Sequence, residues 1–213
     1  MYLGGLYFIT DRNACRLSYG EMTLKALRAG IRCVQYRDKD RSRREIYDEA
    51  ARLRRLTKEF NAVFIVNDHA DIARGADADG VHLGQDDLPI KEARKIMGRE
   101  KIIGISTHSL KQAAIAEQEG ADYIAFGPVF HTITKDAGSP KGTDMLREIK
   151  SKVRIPMVAI GGINIENVRL VFDAGVDAVA VASAILGGDI IENTRRFISI
   201  INRGSCKSPE LSP

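Results

Sequence analysis

In the segment VFIVNDHADIARGADADGVHLGQDD, residues 63–87, two apolar runs of strand length each end in a cluster that carries an aspartate. The first run, residues 63–66, leads into Asn67-Asp68, and the second, residues 81–83, leads into Gly84-Gln85-Asp86-Asp87. The spacing between them predicts a short helix over residues 70–75, and a strand, helix, strand unit forces its two strands to run parallel. Both acidic clusters then lie at the same end of a sheet. With neighbouring strands ~4.8 Å apart, Asp68 and Asp87 can each offer an oxygen to one hard cation at ~2.1 Å. That pattern reads as a magnesium site facing a phosphate. Taken alone, either aspartate could instead cap a helix, as Asp68 could for the one that begins at His69, or occupy a surface turn. The matched placement of the two favours the metal.

Three further groups suit anions. In Gln35-Tyr36-Arg37-Asp38-Lys39, strand alternation puts Gln35, Arg37 and Lys39 on one face. A guanidinium fork beside an ammonium is a clamp for phosphate oxygens, although Arg37 could also pair with a nearby aspartate as structure. Gly161-Gly162 and Ala182-Ser183 follow later apolar runs, where backbone N–H groups can approach a phosphate closely. The connection over residues 129–142 is the longest in the chain and carries Thr132, Thr134 and Lys135, which suits a lid over a second anion. His69, His82 and His108 have no histidine partner at metal-ligand spacing and are expected to be structural.

These groups need a frame that gathers them. Eight apolar runs of strand length recur, at residues 6–10, 33–37, 63–67, 80–84, 102–106, 123–127, 157–161 and 178–182. Segments of helical periodicity, such as residues 46–60 and 111–119, separate them, and residues 190–201 supply a closing helix. Strands buried on both faces read as continuous apolar runs, so the pattern predicts a compact α/β (β/α)8 barrel. An open doubly wound sheet is the alternative, but no Gly-rich dinucleotide turn follows the first run. In a barrel the strand ends share one rim, which is where chemistry is expected. The 213 residues suit a single domain over residues 1–203, with residues 204–213, poor in apolar side chains, as a disordered tail.

The net charge is +4, from 32 basic and 28 acidic residues. The basic run of residues 41–58 is interleaved with Glu45, Asp48 and Glu49, as on a solvated helix face rather than a nucleic-acid surface. The three cysteines lack metal spacing and suit a reducing cytoplasm. No membrane span or export signal is apparent, and a homo-oligomer stays open.

Taken in order, the strand-end motifs resemble the thiamine-phosphate synthase family across roughly residues 6–200. The motifs are Gln35-x-Arg37-x-Lys39, Asn67-Asp68, His82-Leu83-Gly84-Gln85-x-Asp87, Ser106, Gly127-Pro128-Val129-Phe130-x-Thr132-x-Thr134-Lys135, Ala159-Ile160-Gly161-Gly162-Ile163 and Ala182-Ser183. The resemblance implies an enzyme that joins a pyrimidine methyl diphosphate to a thiazole phosphate and releases pyrophosphate. It implies that Gln35, Tyr36, Arg37, Asp38, Lys39, Asn67, Ser106 and Lys135 hold the pyrimidine diphosphate, with Arg37, Lys39, Ser106 and Lys135 acting in catalysis. It assigns Mg2+ to Asp68 and Asp87, and the thiazole phosphate to Thr132, Thr134, Gly162, Ala182 and Ser183. Asp38 stands where glutamate is usual, and Ala182 where a larger apolar residue is frequent. A related thiazole tautomerase would carry histidine where this chain has Pro128, and a thiazole-phosphate-binding regulator would need neither clamp nor metal.

Overall fold

The structure, a computed structural model, describes residues 5–132 and 139–205. Eight strands close into a parallel barrel in sequence order, the first pairing with the last. They are β1 (Gly5–Ile9), β2 (Cys33–Tyr36), β3 (Val63–Asn67), β4 (Gly80–Leu83), β5 (Ile102–Thr107), β6 (Tyr123–Phe126), β7 (Met157–Ile160) and β8 (Ala178–Val181). The helices between them form the outer layer: α1 (Tyr19–Arg28), α2 (Arg43–Glu59), α3 (Ala70–Gly75), α4 (Ile90–Met97), α5 (Leu110–Gln118), α6 (Gly142–Lys152) and α7 (Val168–Asp173). A short α8 (Ser183–Leu186) and a closing α9 (Ile190–Ser205) follow β8. The expected barrel is therefore present. α9 runs to Ser205, past the start of the expected tail, and residues 206–213 lie outside the described residues. No helix among the described residues is long and apolar enough to cross a membrane.

The strands read as continuous apolar runs because both of their faces are covered. Leu6, Phe8, Val34, Phe64 and Val66 face the helices, whereas Tyr7, Ile9, Cys33, Ile65 and Tyr123 fill the barrel. Tyr123 reaches into the interior because β5 carries glycine opposite it: a Cβ at Gly104 would clash with the phenol end of the Tyr123 ring, at Cζ. α1 and α2 begin at capping boxes, Ser18 with Glu21 and Ser42 with Glu45, which satisfy the first free N–H groups of each helix.

A repeated device closes the rim opposite the strand C-termini. The residue before β4, β6 and β8 is an aspartate, Asp79, Asp122 or Asp177. Each accepts an N–H from the preceding strand, Phe64, Ile103 or Met157. Each also pairs with a cation from an even-numbered helix, Arg54, Arg94 or Lys150. The position before β2 holds Arg32 instead, so the repeat occurs in three of the four strand pairs. A carboxylate bonded both to a strand amide and to a helix cation ties the two layers together.

Asp79→Ala should therefore lower stability by about 2 kcal/mol, the scale of a charge-assisted hydrogen bond, and Tm by about 4–8 °C. Thermal and urea unfolding would measure this. Ligand binding at the far rim should be unchanged.

Candidate active site

The register Asn67↔His82 brings the ends of β3 and β4 side by side. Asp68 follows β3 in a left-handed backbone conformation, φ 64°, and its N–H donates to the His82 carbonyl at 2.8 Å. That conformation is unusual for a residue other than glycine and aims the side chain at the rim instead of along the next helix. α3 begins after His69, with no side chain bonded at its N-cap. Asp68 thus does not serve as the helix cap that its position would have permitted.

Asp87 lies in the β4–α4 connection, with the Gly84 N–H bonded to its carboxylate at 2.5 Å. Its carboxyl is pushed above the ordinary range, first by burial and then by the adjoining Asp68 carboxylate. The Gly84 amide and the Lys39 ammonium pull the other way without cancelling the rise. Lys39 Nζ lies 3.4 Å from Asp68 Oδ2. Two neighbouring carboxylates with one half-exposed lysine beside Asp68 are short of positive charge, and their oxygen-only donor set fits a hard divalent cation. Among the described residues no third acidic, histidine or cysteine side chain joins them in a metal-sized cluster. Phosphate oxygens and water would complete such a site, as magnesium commonly requires.

A cleft of about 150 Å³ opens at the rim formed by the strand C-termini. Arg37, Ser106, Thr132, Gly162, Ala182 and Ser183 line it, together with Asp11 and His108. Arg37 also borders a second cleft, which it shares with Asp38, Lys39 and Arg12. Arg37 makes no ion pair with a carboxylate among the described residues, so its guanidinium is left for an anion from solution. Its N–H is fixed by the Thr10 hydroxyl at 3.1 Å.

The neighbouring side chains build the turn that carries the clamp. Tyr36 points into the helix layer, where its ring meets Tyr19 edge-on at 4.9 Å, and its hydroxyl reaches Asp38 at 3.5 Å. Asp38 accepts the N–H groups of Asp40 and Arg41. Burial opposes the charge on Asp38, but these amides outweigh it and hold the carboxyl below its usual range. Gln35 is buried inside the barrel, donating to Tyr7. Asn67 ends β3 on the interior face, half-buried. Thr134 and Lys135 lie outside the described residues.

Across the cleft, Gly161 and Gly162 both adopt positive φ, 99° and 66°. A Cβ at Gly162 would come within 2.8 Å of the Phe130 Cβ and closer still to the His131 carbonyl. The backbone can therefore face the cavity here only as glycine. Ser183 opens α8 alongside. The β7 and β8 ends thus form one polar station, and Arg37 with the carboxylate pair forms another across the mouth.

Sequence reasoning passed over three residues at this site. Asp11 lines both clefts, and its place at the end of the first run was the available signal. His82 bonds Ser106, and His108 lines the cleft with Nδ1 2.7 Å from the Gly127 carbonyl. Neither has the metal-ligand spacing that would single out a histidine in sequence, so these bonds are visible only in the fold. His69 stays outside, against Arg43.

The raised Asp87 carboxyl has a definite consequence for pH. Where the folded value exceeds the unfolded ~3.9, the folded chain holds the extra proton, so stability falls as pH climbs through that window. The penalty persists at neutral pH. Asp87→Asn should remove this slope and melt higher than wild type at about pH 7 in metal-free buffer, as read from Tm between about pH 4 and about pH 8. A lower Tm for the variant at neutral pH would contradict the account.

The family model for thiamine monophosphate synthase matches residues 6–185. The thiamine-phosphate synthase of Methanosarcina barkeri is 42% identical over 199 residues, covering 92% of this chain and 90% of that protein. That of Halalkalibacterium halodurans is 46% identical over 178 residues, covering 83% and 84%. Among solved structures, a thiamine phosphate pyrophosphorylase from Pyrococcus furiosus superposes with a TM-score of 0.87 at 43% identity, covering 93% of this chain and 96% of that one. A carboxylate pair and a glycine-lined station facing each other across one barrel mouth therefore have a family context, because this chain belongs to the thiamine monophosphate synthase family.

Proposed function

We propose that this protein is a thiamine-phosphate synthase, joining 4-amino-2-methyl-5-(diphosphooxymethyl)pyrimidine to 4-methyl-5-(2-phosphooxyethyl)thiazole. The observation that carries this reading is the pair of anion stations on one rim. Arg37, Lys39 and the Asp68–Asp87 pair follow β2, β3 and β4, whereas Gly161, Gly162 and Ser183 follow β7 and β8, and Arg37 and Ser183 line one cleft. A diphosphate suits the first and a monophosphate the second, which leaves the two heterocycles to meet over the cleft. Family membership points the same way.

The bond changes balance without a protein nucleophile. The methylene C–O bond breaks, and the diphosphate leaves with the electron pair. The aminopyrimidine ring delocalises the charge left on the methylene carbon, and the thiazole nitrogen donates its lone pair to form the new C–N bond. Charge on the leaving oxygens therefore has to be met. Arg37 and Lys39 supply it, and a unit charge at ~4 Å with an effective dielectric of ~20 is worth ~4 kcal/mol before desolvation. Asp68 and Asp87 would hold magnesium, which when bound neutralises the diphosphate further. Ser106 would donate a hydrogen bond, and the family resemblance assigns Lys135 to the diphosphate and Thr132 and Thr134 to the thiazole phosphate. Water has to be kept out, since it would capture the methylene as an alcohol. Cys15 and Cys33 are free thiols, in keeping with a reducing cytoplasm.

Incubation with both phosphorylated heterocycles and magnesium should yield thiamine phosphate and pyrophosphate, and omission of either substrate should abolish the product. Arg37→Ala should lower turnover by roughly 10²–10³-fold, the scale for one lost donor at developing charge. Isomerisation of a thiazole tautomer without any coupling would instead identify the tautomerase relative.

A further inference from the structure

The barrel interior holds an unbroken line of hydrogen-bonded side chains ending at Ser106. Gln35 Nε2 lies 2.9 Å from Tyr7 Oη, and Tyr7 Oη lies 2.9 Å from Tyr123 Oη. Tyr123 Oη lies 2.9 Å from His82 Nδ1, and His82 Nε2 lies 3.0 Å from Ser106 Oγ. The His82 ring stacks on Tyr123, with centroids 5.5 Å apart. Tyr7 and Tyr123 are fully buried and Gln35 and His82 nearly so, which leaves water little access to reset the line.

Proton counting gives the line a direction. An amide nitrogen can only donate, so Tyr7 Oη accepts from Gln35. The single Tyr7 proton then goes to Tyr123, its other partner. Tyr123 has passed on no proton at that point, so its own goes to His82 Nδ1. That nitrogen must offer a lone pair, and in neutral imidazole the proton then sits on Nε2. Nε2–H donates to Ser106 Oγ, which turns the serine proton away from His82 and into the cleft that Ser106 lines. With the Gln35 amide nitrogen turned to Tyr7, the opposite direction would have Tyr7 Oη accept from both neighbours and leave its own proton without an acceptor in a buried site.

The geometry points to Tyr7, Tyr123 and His82 as positioning residues that set Ser106 as a hydrogen-bond donor toward the cleft, its acceptor being an oxygen of the pyrimidine diphosphate. This rests on the synthase reading for the identity of the acceptor, whereas the direction of the line rests on the Gln35 amide and the hydrogen bonds from it to Ser106. A donor aimed at the leaving oxygens gains strength as charge develops there, so the effect belongs to kcat. The chain contributes no proton to the products; it only fixes which way one hydroxyl points.

Two measurements on the full chain test this. The first is long-range proton–nitrogen NMR of the histidine side chains, with His82 assigned by loss of its signals in His82→Gln. The expected result is a neutral ring with the proton on Nε2 and a lone pair on Nδ1. A neutral ring protonated on Nδ1 would overturn the proposal whether or not the protein makes thiamine phosphate. The second is a kinetic cycle of Tyr123→Phe, Ser106→Ala and the double variant, with Tyr7→Phe in place of Tyr123→Phe if that chain fails to fold. Ser106→Ala should lower kcat by about 10²-fold, and Tyr123→Phe by about tenfold or more, with KM for the thiazole phosphate unchanged. The double variant should be no slower than Ser106→Ala, because both changes remove the same donor. Losses that multiply would show that Tyr123 acts through packing, and would refute the relay. Absence of coupling activity in the wild type would fail the synthase reading and leave the NMR result to judge the line.

Discussion

Two carboxylates in contact at a barrel rim are a cost that the rest of this structure is arranged to bear. Asp68 and Asp87 meet because β3 and β4 are parallel neighbours and because Asp68 takes up a left-handed conformation, anchored by its N–H on His82. Burial and mutual repulsion raise the Asp87 carboxyl. Lys39 offsets the repulsion only in part, from a half-exposed position. Such an arrangement is unfavourable until a cation arrives, which is the character expected of a site for metal and diphosphate together. The opposite rim does the reverse. There Asp79, Asp122 and Asp177 are each paired with a cation and an amide, so the residues that hold the barrel together are kept away from those that face ligand.

Much of this was legible in the sequence for a simple reason. Strands covered on both faces must be apolar throughout, so the eight runs stood out and their polar ends marked the rim. The placement of Arg37, Ser106, Gly162 and Ser183 around one cleft follows from that frame. Alternation also put Gln35 on the interior face, though its amide turns to Tyr7. It says less about Lys39, since β2 ends at Tyr36 and the chain has left the strand by then. Tyr36 faces the helix layer and Asp38 shapes the turn, roles that only the packing of Tyr19 and the amides beyond the strand could reveal.

The remaining features were not legible because their partners are distant in sequence. Asp122 resembles any aspartate ahead of a strand until Arg94 and the Ile103 amide are placed against it. His82 showed no metal spacing, and its meaning lies in Tyr123 on one side and Ser106 on the other. Gly104 is needed only because the Tyr123 ring reaches into the barrel interior at that point. Polar side chains inside an otherwise apolar barrel survive because each finds its partner within the line.

The central claim is that the facing carboxylates and the β2 clamp form one site for a divalent cation and a diphosphate. Crystals grown with manganese and pyrophosphate would test it most directly through the anomalous signal of the metal. The account predicts a metal peak shared by Asp68 and Asp87, directly or through water, with pyrophosphate oxygens completing its coordination and reaching Arg37. Pyrophosphate bound at Gly162 and Ser183 with no metal at the aspartates, or metal bound elsewhere on the rim, would contradict it.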